Sequence, residues 1–334
     1  MKRLRTGILA SVGLLVLILD AKTGILGAAE GLALCFKSII PSLLPFFVLS
    51  ILITNSLAGE RIRVLQPLER LLRIPKGSGS TFLIGILGGY PVGAQSVAQG
   101  HKNGSLSRLD AQRMLGFCSN AGPSFLFGII ACKFSKMEFA WALWLIHILS
   151  AMLVGILLPG GNNAQTKCSP SKNISVSDSL QKTIRILAGV CGWVILFRVV
   201  IAFLTRWILW FFPDWVQVFV CGILELANGC CALDRITNEG LRFVVCSGML
   251  AFGGLCVCMQ TASVTEDLGF GQYFPGKVMQ CGISVVLSFL CQRIVGRGTE
   301  SGEIILLFGI ILTVLPLFLC KIQKNSSIPA LHGV

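Results

Sequence analysis

An acidic residue lies inside an apolar stretch of this 334-residue chain. Glu225 is flanked by Leu224 and Leu226 and is followed by Asn228 and Gly229. Ionisable groups in such surroundings are costly and usually bind an ion, a proton or a partner charge. Arg198 is the only charged residue within 192–204. We therefore expect Glu225 to hold a coupling cation or proton, or to form a structural ion pair with Arg198; the residues alone leave both readings open.

Helix-breaking residues interrupt four apolar segments, one of which is the stretch that contains Glu225. The run 88–95 (GGYPVGAQ) contains a proline among glycines, and 120–124 (NAGPS) repeats this combination. Proline removes a backbone donor and glycine weakens a helix. Amides freed at such a break can bind an anion through the dipole of the following half-helix. Together with breaks at 228–229 and 253–254, the candidate substrate-binding residues are Gly89, Tyr90, Pro91, Gly93, Gln95, Asn120, Gly122, Pro123, Ser124, Asn228, Gly229, Gly253, Gly254 and Gln260.

Patterns typical of enzymes and metal sites do not occur. The chain has no His-Glu-x-x-His, no Gly-x-Ser-x-Gly and no P-loop order of residues. Its 14 cysteines are scattered, without the Cys-x-x-Cys spacing of a zinc site, and the three histidines do not cluster with them. We expect free thiols, no catalytic residues, no metal and no cofactor.

The composition indicates an all-α, multi-pass membrane protein. Hydrophobic residues make up 54% and charged residues 13%, and the mean hydropathy is +0.79. Long windows without any charged residue are of the length that a membrane span needs. The net charge of +13 fits basic cytoplasmic loops better than nucleic-acid binding. The predicted spans are 6–19, 41–57, 114–131, 139–158, 190–210, 243–260, 278–291 and 304–320.

Two apolar segments, 80–98 and 216–233, are interrupted by glycine, proline or polar residues. If both dip into the membrane and return on the same side, Lys and Arg concentrate on the inside, with both termini cytoplasmic; if both cross, this bias disappears. We therefore predict re-entrant hairpins. Irregular backbone at that depth is tolerated only within protein or beside water, which implies a polar interior site.

The order of elements repeats on either side of a polar linker. Each half is predicted to run from an amphipathic segment (28–40 or 178–187) through a span, a broken hairpin and an interrupted span to a last span. The resulting division is an N-terminal span (1–27), a first repeat (28–159), the linker (160–177), a second, inverted repeat (178–295) and a last span with tail (296–334). Inverted repeats with broken helices are typical of secondary transporters. The tripeptide Gly-Ile-Leu at 85 and 222 recurs at 7, 24 and 155, so we give it no weight.

The motifs as a set resemble one family. Leu-Leu-Pro-Phe-Phe at 43–47, Gly-Tyr-Pro-Val-Gly-Ala at 89–94, Ser-Asn-Ala-Gly-Pro-Ser-Phe at 119–125, Gly-Ile-Leu-Glu at 222–225 and Phe-Gly-Gly-Leu at 252–255, with Met259 and Gln260, are similar to the YlbJ-like sporulation integral membrane proteins. Those proteins carry nucleoside-recognition ("Gate") domains and look related to concentrative nucleoside transporters. The resemblance implies export of dipicolinate from the mother cell across the outer forespore membrane.

The leading hypothesis is thus a secondary transporter of a small organic anion in the lipid bilayer. It leaves a coupling cation or proton and a homo-oligomer open. A nucleoside or nucleobase carrier is the alternative within the same class, and it would depend on hydrogen bonds rather than on ligand charge. A membrane scaffold for spore assembly that transports nothing is the alternative of a different class.

Overall fold

The structure is a computed structural model that describes residues 2–57, 62–160, 175–265 and 268–295, and the regular elements in these ranges are all helical. The α-helices are α1 (Lys2–Leu19), α2 (Ala21–Leu34), α3 (Ile40–Leu57), α4 (Gln66–Leu72), α5 (Gly79–Gly88), α6 (Val92–Lys102), α7 (Arg108–Cys118), α8 (Pro123–Phe125), α9 (Met137–Leu157), α10 (Val176–Trp207), α11 (Asp214–Leu224), α12 (Leu226–Cys231), α13 (Glu239–Phe252), α14 (Gly254–Val264) and α15 (Tyr273–Val295).

Within the described ranges, six helical segments are long and apolar enough to cross a membrane. They are Ala21–Ile53, Arg108–Lys133, Met137–Leu157, Val176–Trp207, Glu239–Val264 and Tyr273–Gln292. This confirms the prediction of an all-α, multi-pass membrane protein. Helix α1 contributes a shorter apolar segment, Ala10–Leu19, where a first span was predicted. The predicted span 304–320 lies outside the described residues.

Two predicted boundaries between an amphipathic segment and a span are wrong. Helix α2 continues into α3 through a π-helical turn at Cys35–Ile39, so 28–40 and 41–57 form one helical path. Helix α10 likewise runs unbroken from Val176 through both 178–187 and the following span. Ser175 caps α10 at its start, and the residues at the predicted boundaries, Pro41 and Gly189, both lie within helix. Both helical paths therefore continue through the positions where the sequence changes polarity.

The four predicted interruptions are real breaks between helices. The hairpin at 80–98 consists of α5 and α6 joined at 89–91, and the hairpin at 216–233 consists of α11 and α12 joined at Glu225. Helix α7 ends at Cys118, and α8 begins at Pro123 and continues through π and 3-10 turns to Lys133. Helix α13 ends at Phe252 and α14 follows from Gly254. Each half therefore contains one broken hairpin followed by one broken long segment.

Glycine contacts join the two halves. Gly27 and Gly31 of α2 lie against α10, and a Cβ on Gly31 would be 2.9 Å from Ile195 Cα. Gly116 of α7 and Gly276 of α15 also bring two backbones into direct contact. Small residues allow this close approach in membrane helices, where van der Waals packing between helices replaces the hydrophobic effect. The packing places α15 of the second half beside the break of α7 in the first.

Candidate functional site

The break between α5 and α6 packs on the break between α7 and α8. Gly89 has φ = +73°, a conformation that suits glycine, and a Cβ there would lie 2.8 Å from the backbone nitrogen of Gly122. Gly122 in turn has no room for a side chain beside Gly89, since its own Cβ would be 3.1 Å from Gly89 Cα. The two predicted breaks of the first half therefore meet through backbone alone.

Two further glycines admit the end of α7 into the hairpin. The carbonyl oxygen of Cys118 lies where a Cβ on Gly85 or Gly93 would be, and a Cβ on Gly93 would be 2.8 Å from Gly85 Cα. Gly93 was predicted to bind substrate, but its visible role is to let α5, α6 and the end of α7 pack together. Pro91 is the residue before α6, and the Tyr90–Pro91 peptide is cis.

Glu225 caps the second hairpin at its break. Its Oε1 accepts the backbone N–H of Ala227 at 3.0 Å, and its Oε2 accepts the backbone N–H and side-chain Nδ2–H of Asn228, both at 2.6 Å. Acidic groups stabilise a helix start because the free amides and the dipole are positive there. The side chain is buried, with 3% of its surface exposed. The carboxylate thus stands at the anion position that α12 provides.

Arg198 does not pair with Glu225. Its guanidinium donates to Glu30 of α2, so it forms an ion pair between α2 and α10. Of the two alternatives left open for Glu225, the ion pair with Arg198 is therefore not formed here, because a carboxylate of α2 takes Arg198 and three donors of α12 take Glu225.

The break between α13 and α14 contacts the first hairpin through Tyr90. Gly253 and Gly254 have φ of +82° and +85°, and a Cβ on Gly253 would be 3.0 Å from Cζ of Tyr90. The Tyr90 hydroxyl donates to the carbonyl oxygen of Leu250 at 3.1 Å, in the last turn of α13. Gly254 lies against the carbonyl oxygen of Gly222 in the second hairpin. Tyr90 is consequently a direct link between the two halves.

A cavity of about 480 Å³ lies where these breaks meet. Five predicted site residues line it: Gly89, Tyr90, Gly122, Glu225 and Gln260. Its apolar wall includes Ile39 beside the π-helical turn, Leu43, Phe125, Val190, Val194 and Val257. An apolar concave wall with a few polar groups is typical of a small-molecule site. Glu225 is the only acidic or basic residue among the described lining residues.

The other predicted site residues stand around this cavity rather than along its described wall. Asn228 helps to satisfy Glu225, and Gly229 packs on Gly222 within the second hairpin. Gln95 is half-buried on α6, and Ser124 is buried with a hydroxyl that has no hydrogen-bond partner. Pro123 opens α8. Asn120 belongs to a separate polar cluster, described next.

Sequence reasoning missed a buried polar cluster behind Tyr90. Lys277 of α15 and His147 of α9 hold the backbone of the first interrupted span at Ser119 and Ala121, and Gln280 of α15 bonds the His147 carbonyl. The Lys277 ammonium donates to the Ser119 carbonyl, and Gln280 Nε2 donates to Asn120 Oδ1 at 3.1 Å. The predicted span 278–291 began one residue after Lys277. The signal that could have found it is the spacing of Lys277 and Gln280, which puts both on one helix face.

Of the four helices that directly follow a break, three begin without a side-chain cap. The starts of α6, α8 and α14 have none, whereas α12 has Glu225. The residue before α8, Gly122, lines the cavity, and so do Gly89 and Tyr90 just before α6. Helix amides without caps are free to bind a negative ligand group. The arrangement therefore combines helix starts without side-chain caps beside one wall with a carboxylate on another.

Comparisons with known proteins point to one family. The chain is 25% identical over 297 residues to the "Sporulation integral membrane protein YlbJ" of Bacillus subtilis (strain 168), which covers 75% of this chain and 73% of that protein. No protein-family model matches the chain, and no solved structure matches it. The described cysteines are all free, and no group of three or more His, Cys, Asp or Glu in the described ranges could hold a metal ion. The similarity supports the assignment of this chain to the YlbJ-like sporulation membrane proteins.

Proposed function

We propose that this protein is a secondary transporter of a small organic anion, and that the anion is dipicolinate, which it moves from the mother cell across the outer forespore membrane. The observation that carries the proposal is the cavity of about 480 Å³ at the meeting point of the broken helices. Each of the four breaks contributes to the wall of this cavity or packs directly on a residue that does.

Broken helices at a shared cavity favour transport over a purely structural role. Irregular backbone within a membrane requires protein or water around it, and in secondary transporters such segments form the substrate site between repeats. Glycine–glycine contacts at Gly89 and Gly122 leave no side chain to tie the two breaks together. Such a contact can separate and reform as the first hairpin moves against the broken long segment of the same half. The re-entrant hairpins, the inverted repeat and the cytoplasmic termini are part of this proposal.

Two features favour an anionic ligand. The residues just before α6 and α8 line the cavity, and neither helix start has a side-chain cap, so the positive ends of these helices lie near it. The Lys277 ammonium lies 5.3 Å from the centre of the Tyr90 ring, and Tyr90 lines the cavity. Dipicolinate is a small planar aromatic dianion, which suits an apolar cavity with Tyr90 and Phe125 in its wall. The sporulation context comes from the name of the Bacillus subtilis relative.

One observation favours a nucleoside or nucleobase as a second candidate. The only acidic or basic residue among the described lining residues is Glu225, an acid. A carboxylate accepts hydrogen bonds from sugar hydroxyls or base amino groups, and it repels an anion. The two Glu225 oxygens already accept three hydrogen bonds from α12, which lowers their capacity for a ligand.

The test is flux of radiolabelled dipicolinate in proteoliposomes that contain the purified full-length protein. We expect dipicolinate to enter or leave only vesicles with protein, and uridine or adenine in excess not to compete. Gly89→Ala should abolish the flux because its Cβ meets the Gly122 backbone, whereas Gly189→Ala, with nothing within 4 Å, is the matched control. Uridine flux without dipicolinate flux would overturn the proposed substrate in favour of the second candidate.

A further inference from the structure

Lys277 is a buried ammonium that has no carboxylate partner in the described part of the chain. Only 1% of its surface is exposed, on a helix long enough to cross a membrane. No Asp or Glu in the described ranges forms an ion pair with Lys277, whereas Lys133 pairs with Asp234. A buried charge is costly unless hydrogen bonds or an opposite charge compensate it. The groups that surround the Lys277 ammonium therefore indicate which kind of ion this site binds.

The groups around the ammonium are those of a cation site. Lys277 donates to the backbone carbonyl of Ser119 and to Oε1 of Gln280 at 2.7 Å, and it faces the Tyr90 ring at 5.3 Å from the centroid. Ser119 directly follows α7, where the unpaired carbonyls and the helix dipole are negative. Oxygen acceptors and an aromatic face both attract a positive charge. The cation in this site is thus the side-chain ammonium of Lys277 itself.

The helix packing delivers this cation to the break. Gly276, the residue before Lys277, contacts the backbone of Gly116 in α7, three residues before Ser119. Because no side chain separates α15 from α7 there, the lysine reaches the carbonyl just beyond the end of α7. The backbone that follows is held as well: His147 Nε2 accepts the N–H of Ala121 at 3.0 Å, and Gln280 bonds Asn120.

The groups that face Lys277 are uncharged in their ordinary states. They are Tyr90 from the first hairpin, Cys118 from α7, His147 from α9, Cys258 from α14 and Tyr273 one turn earlier on α15. The hydroxyls of Tyr273 and Ser119 are buried and have no hydrogen-bond partner. Among the described residues, the ammonium is therefore the charge that sets the electrostatic state of this break.

We propose that Lys277 takes the place of a free coupling cation, and that the particle coupled to transport is a proton carried on its Nζ. This rests on the proposed transport function and adds the coupling ion to it. In transporters with broken helices, unwound carbonyls commonly coordinate Na⁺ or H⁺. Here the ammonium of Lys277 takes the carbonyl of Ser119 that such an ion would otherwise coordinate. When the break opens to water, the ammonium gives one proton to water and becomes a neutral amine; rebinding a proton restores the closed break.

The experiment compares driving gradients in proteoliposomes, with the membrane potential clamped by valinomycin and equal K⁺ on both sides. With no membrane potential, a gradient of one pH unit supplies about 1.4 kcal/mol for each proton that moves, which corresponds to a tenfold concentration ratio. If one proton moves per substrate, the wild type should therefore accumulate dipicolinate about tenfold. A Na⁺ gradient should drive none. A Na⁺-driven accumulation would overturn the inference and leave the transport proposal standing.

Two substitutions separate a proton carrier from a structural cation. Lys277→Arg keeps a positive charge but cannot release its proton, so the ratio of accumulation with and without the pH gradient should fall to about one. In Lys277→Gln the accumulation ratio should also fall to about one. Lys182 is a half-buried lysine on α10, and Lys182→Gln should keep the wild-type ratio. A Lys277→Arg protein with the wild-type ratio would overturn the inference, since a structural cation needs only the charge.

A measurement without substrate covers the case in which no flux is seen. Removal of the lysine chain in Lys277→Ala should leave a cation site that small cations can fill. We expect the thermal unfolding midpoint of this variant in detergent to rise with propylammonium chloride or NaCl, relative to choline chloride, whereas the wild type does not respond. A wild type stabilised by Na⁺ over choline, or a variant indifferent to both cations, would contradict an occupied cation site at Ser119, whatever the transported substrate.

Discussion

Opposite charges stand at the breaks of the two halves of the molecule, and both charges come from the second half. At the broken long segment of the first half, the ammonium of Lys277, from α15, holds the carbonyl of Ser119 just beyond the end of α7. In the second half, the carboxylate of Glu225 holds the first amides of α12. Helix ends are negative at the carboxyl end and positive at the amino end. The sign of each buried charge thus follows from which helix end it meets, and neither charge needs the other as a partner.

The backbone at the two hairpins is nevertheless built alike. Gly85 faces Gly93 across the first hairpin, and Gly222 faces Gly229 across the second. Both pairs allow the two arms to touch through backbone. The same pattern extends to the broken long segments: Cys118 packs on the first glycine pair, and Gly254 packs against the carbonyl of Gly222. The halves therefore share a packing scheme and differ in the charge that completes it.

The largest effect is expected from a side chain at the backbone contact of the first half. Gly89→Ala adds a Cβ 2.8 Å from the Gly122 nitrogen at a φ of +73°, and a strained residue of this kind costs about 1–3 kcal/mol. Dipicolinate flux should fall to background. Gly253→Ala, at φ +82° and with the Tyr90 ring 3.0 Å away, should also lose flux but unfold less readily, because a side chain yields more easily than backbone. Equal flux in Gly89→Ala and the Gly189→Ala control would contradict the backbone contact.

The second effect concerns the charge in the second half. Glu225→Ala leaves two buried amides without their acceptor, at a cost of about 1–3 kcal/mol. Glu225→Gln keeps one acceptor oxygen and should insert and fold, but its transport should change because the cavity loses its negative charge. Glu225→Lys should be worse than either, since it brings a cation to a positive helix start. Thermal unfolding in detergent and dipicolinate flux measure the two properties separately. A Glu225→Lys protein as stable as Glu225→Gln would refute the dipole account.

A smaller effect is expected from the polar cluster behind Tyr90. Asn120→Ala removes the oxygen that accepts from Gln280 Nε2 and the side-chain bond from Asn120 to the Phe117 carbonyl. Each lost hydrogen bond should cost about 1 kcal/mol. Gln280 keeps its contacts with Lys277 and His147, so flux should drop severalfold rather than vanish. The double variant with Gln280→Ala tests coupling: strictly additive losses would show that the two residues do not act through one network.

The smallest effect is expected at Arg198. Its ion pair with Glu30 is partly exposed, and the Glu30 side chain retains 56% of its surface. Arg198→Gln should therefore cost no more than about 1 kcal/mol and leave dipicolinate flux near the wild-type value. Flux from the Arg198→Gln protein is compared with that from Glu225→Gln. A loss of flux as large as in the Glu225 variant would return Arg198 to the site.

The sequence predicted the breaks well because glycine and proline act locally. Gly89–Pro91, Gly122–Pro123 and Gly253–Gly254 interrupt helices where their backbone chemistry says they should. Partners were harder to predict because they depend on packing: nothing near Arg198 in the chain points to Glu30, 168 positions away. The long helices at 21–57 and 176–207 were divided wrongly because a change of polarity was read as a change of structure.

The glycines at 85 and 222 give a second lesson about prediction. The tripeptide that contains them is too frequent in this chain to carry information, yet both glycines lie at corresponding arm contacts. Lys277 was missed for a related reason, since a charge was used to mark the end of a span although its helix begins at Tyr273. Both features require knowledge of which backbones touch, and composition does not provide it.

The most direct test of the central claim is the dipicolinate content of spores from a strain that lacks this protein, complemented with the wild type, Gly89→Ala or Gly189→Ala. The dipicolinate pool of the mother cell is measured in parallel. Our account predicts normal spores with the wild type and with Gly189→Ala, and dipicolinate-poor spores beside a mother cell that still makes it with Gly89→Ala. Normal spore dipicolinate without the protein would contradict the account and favour a nucleoside carrier or a scaffold.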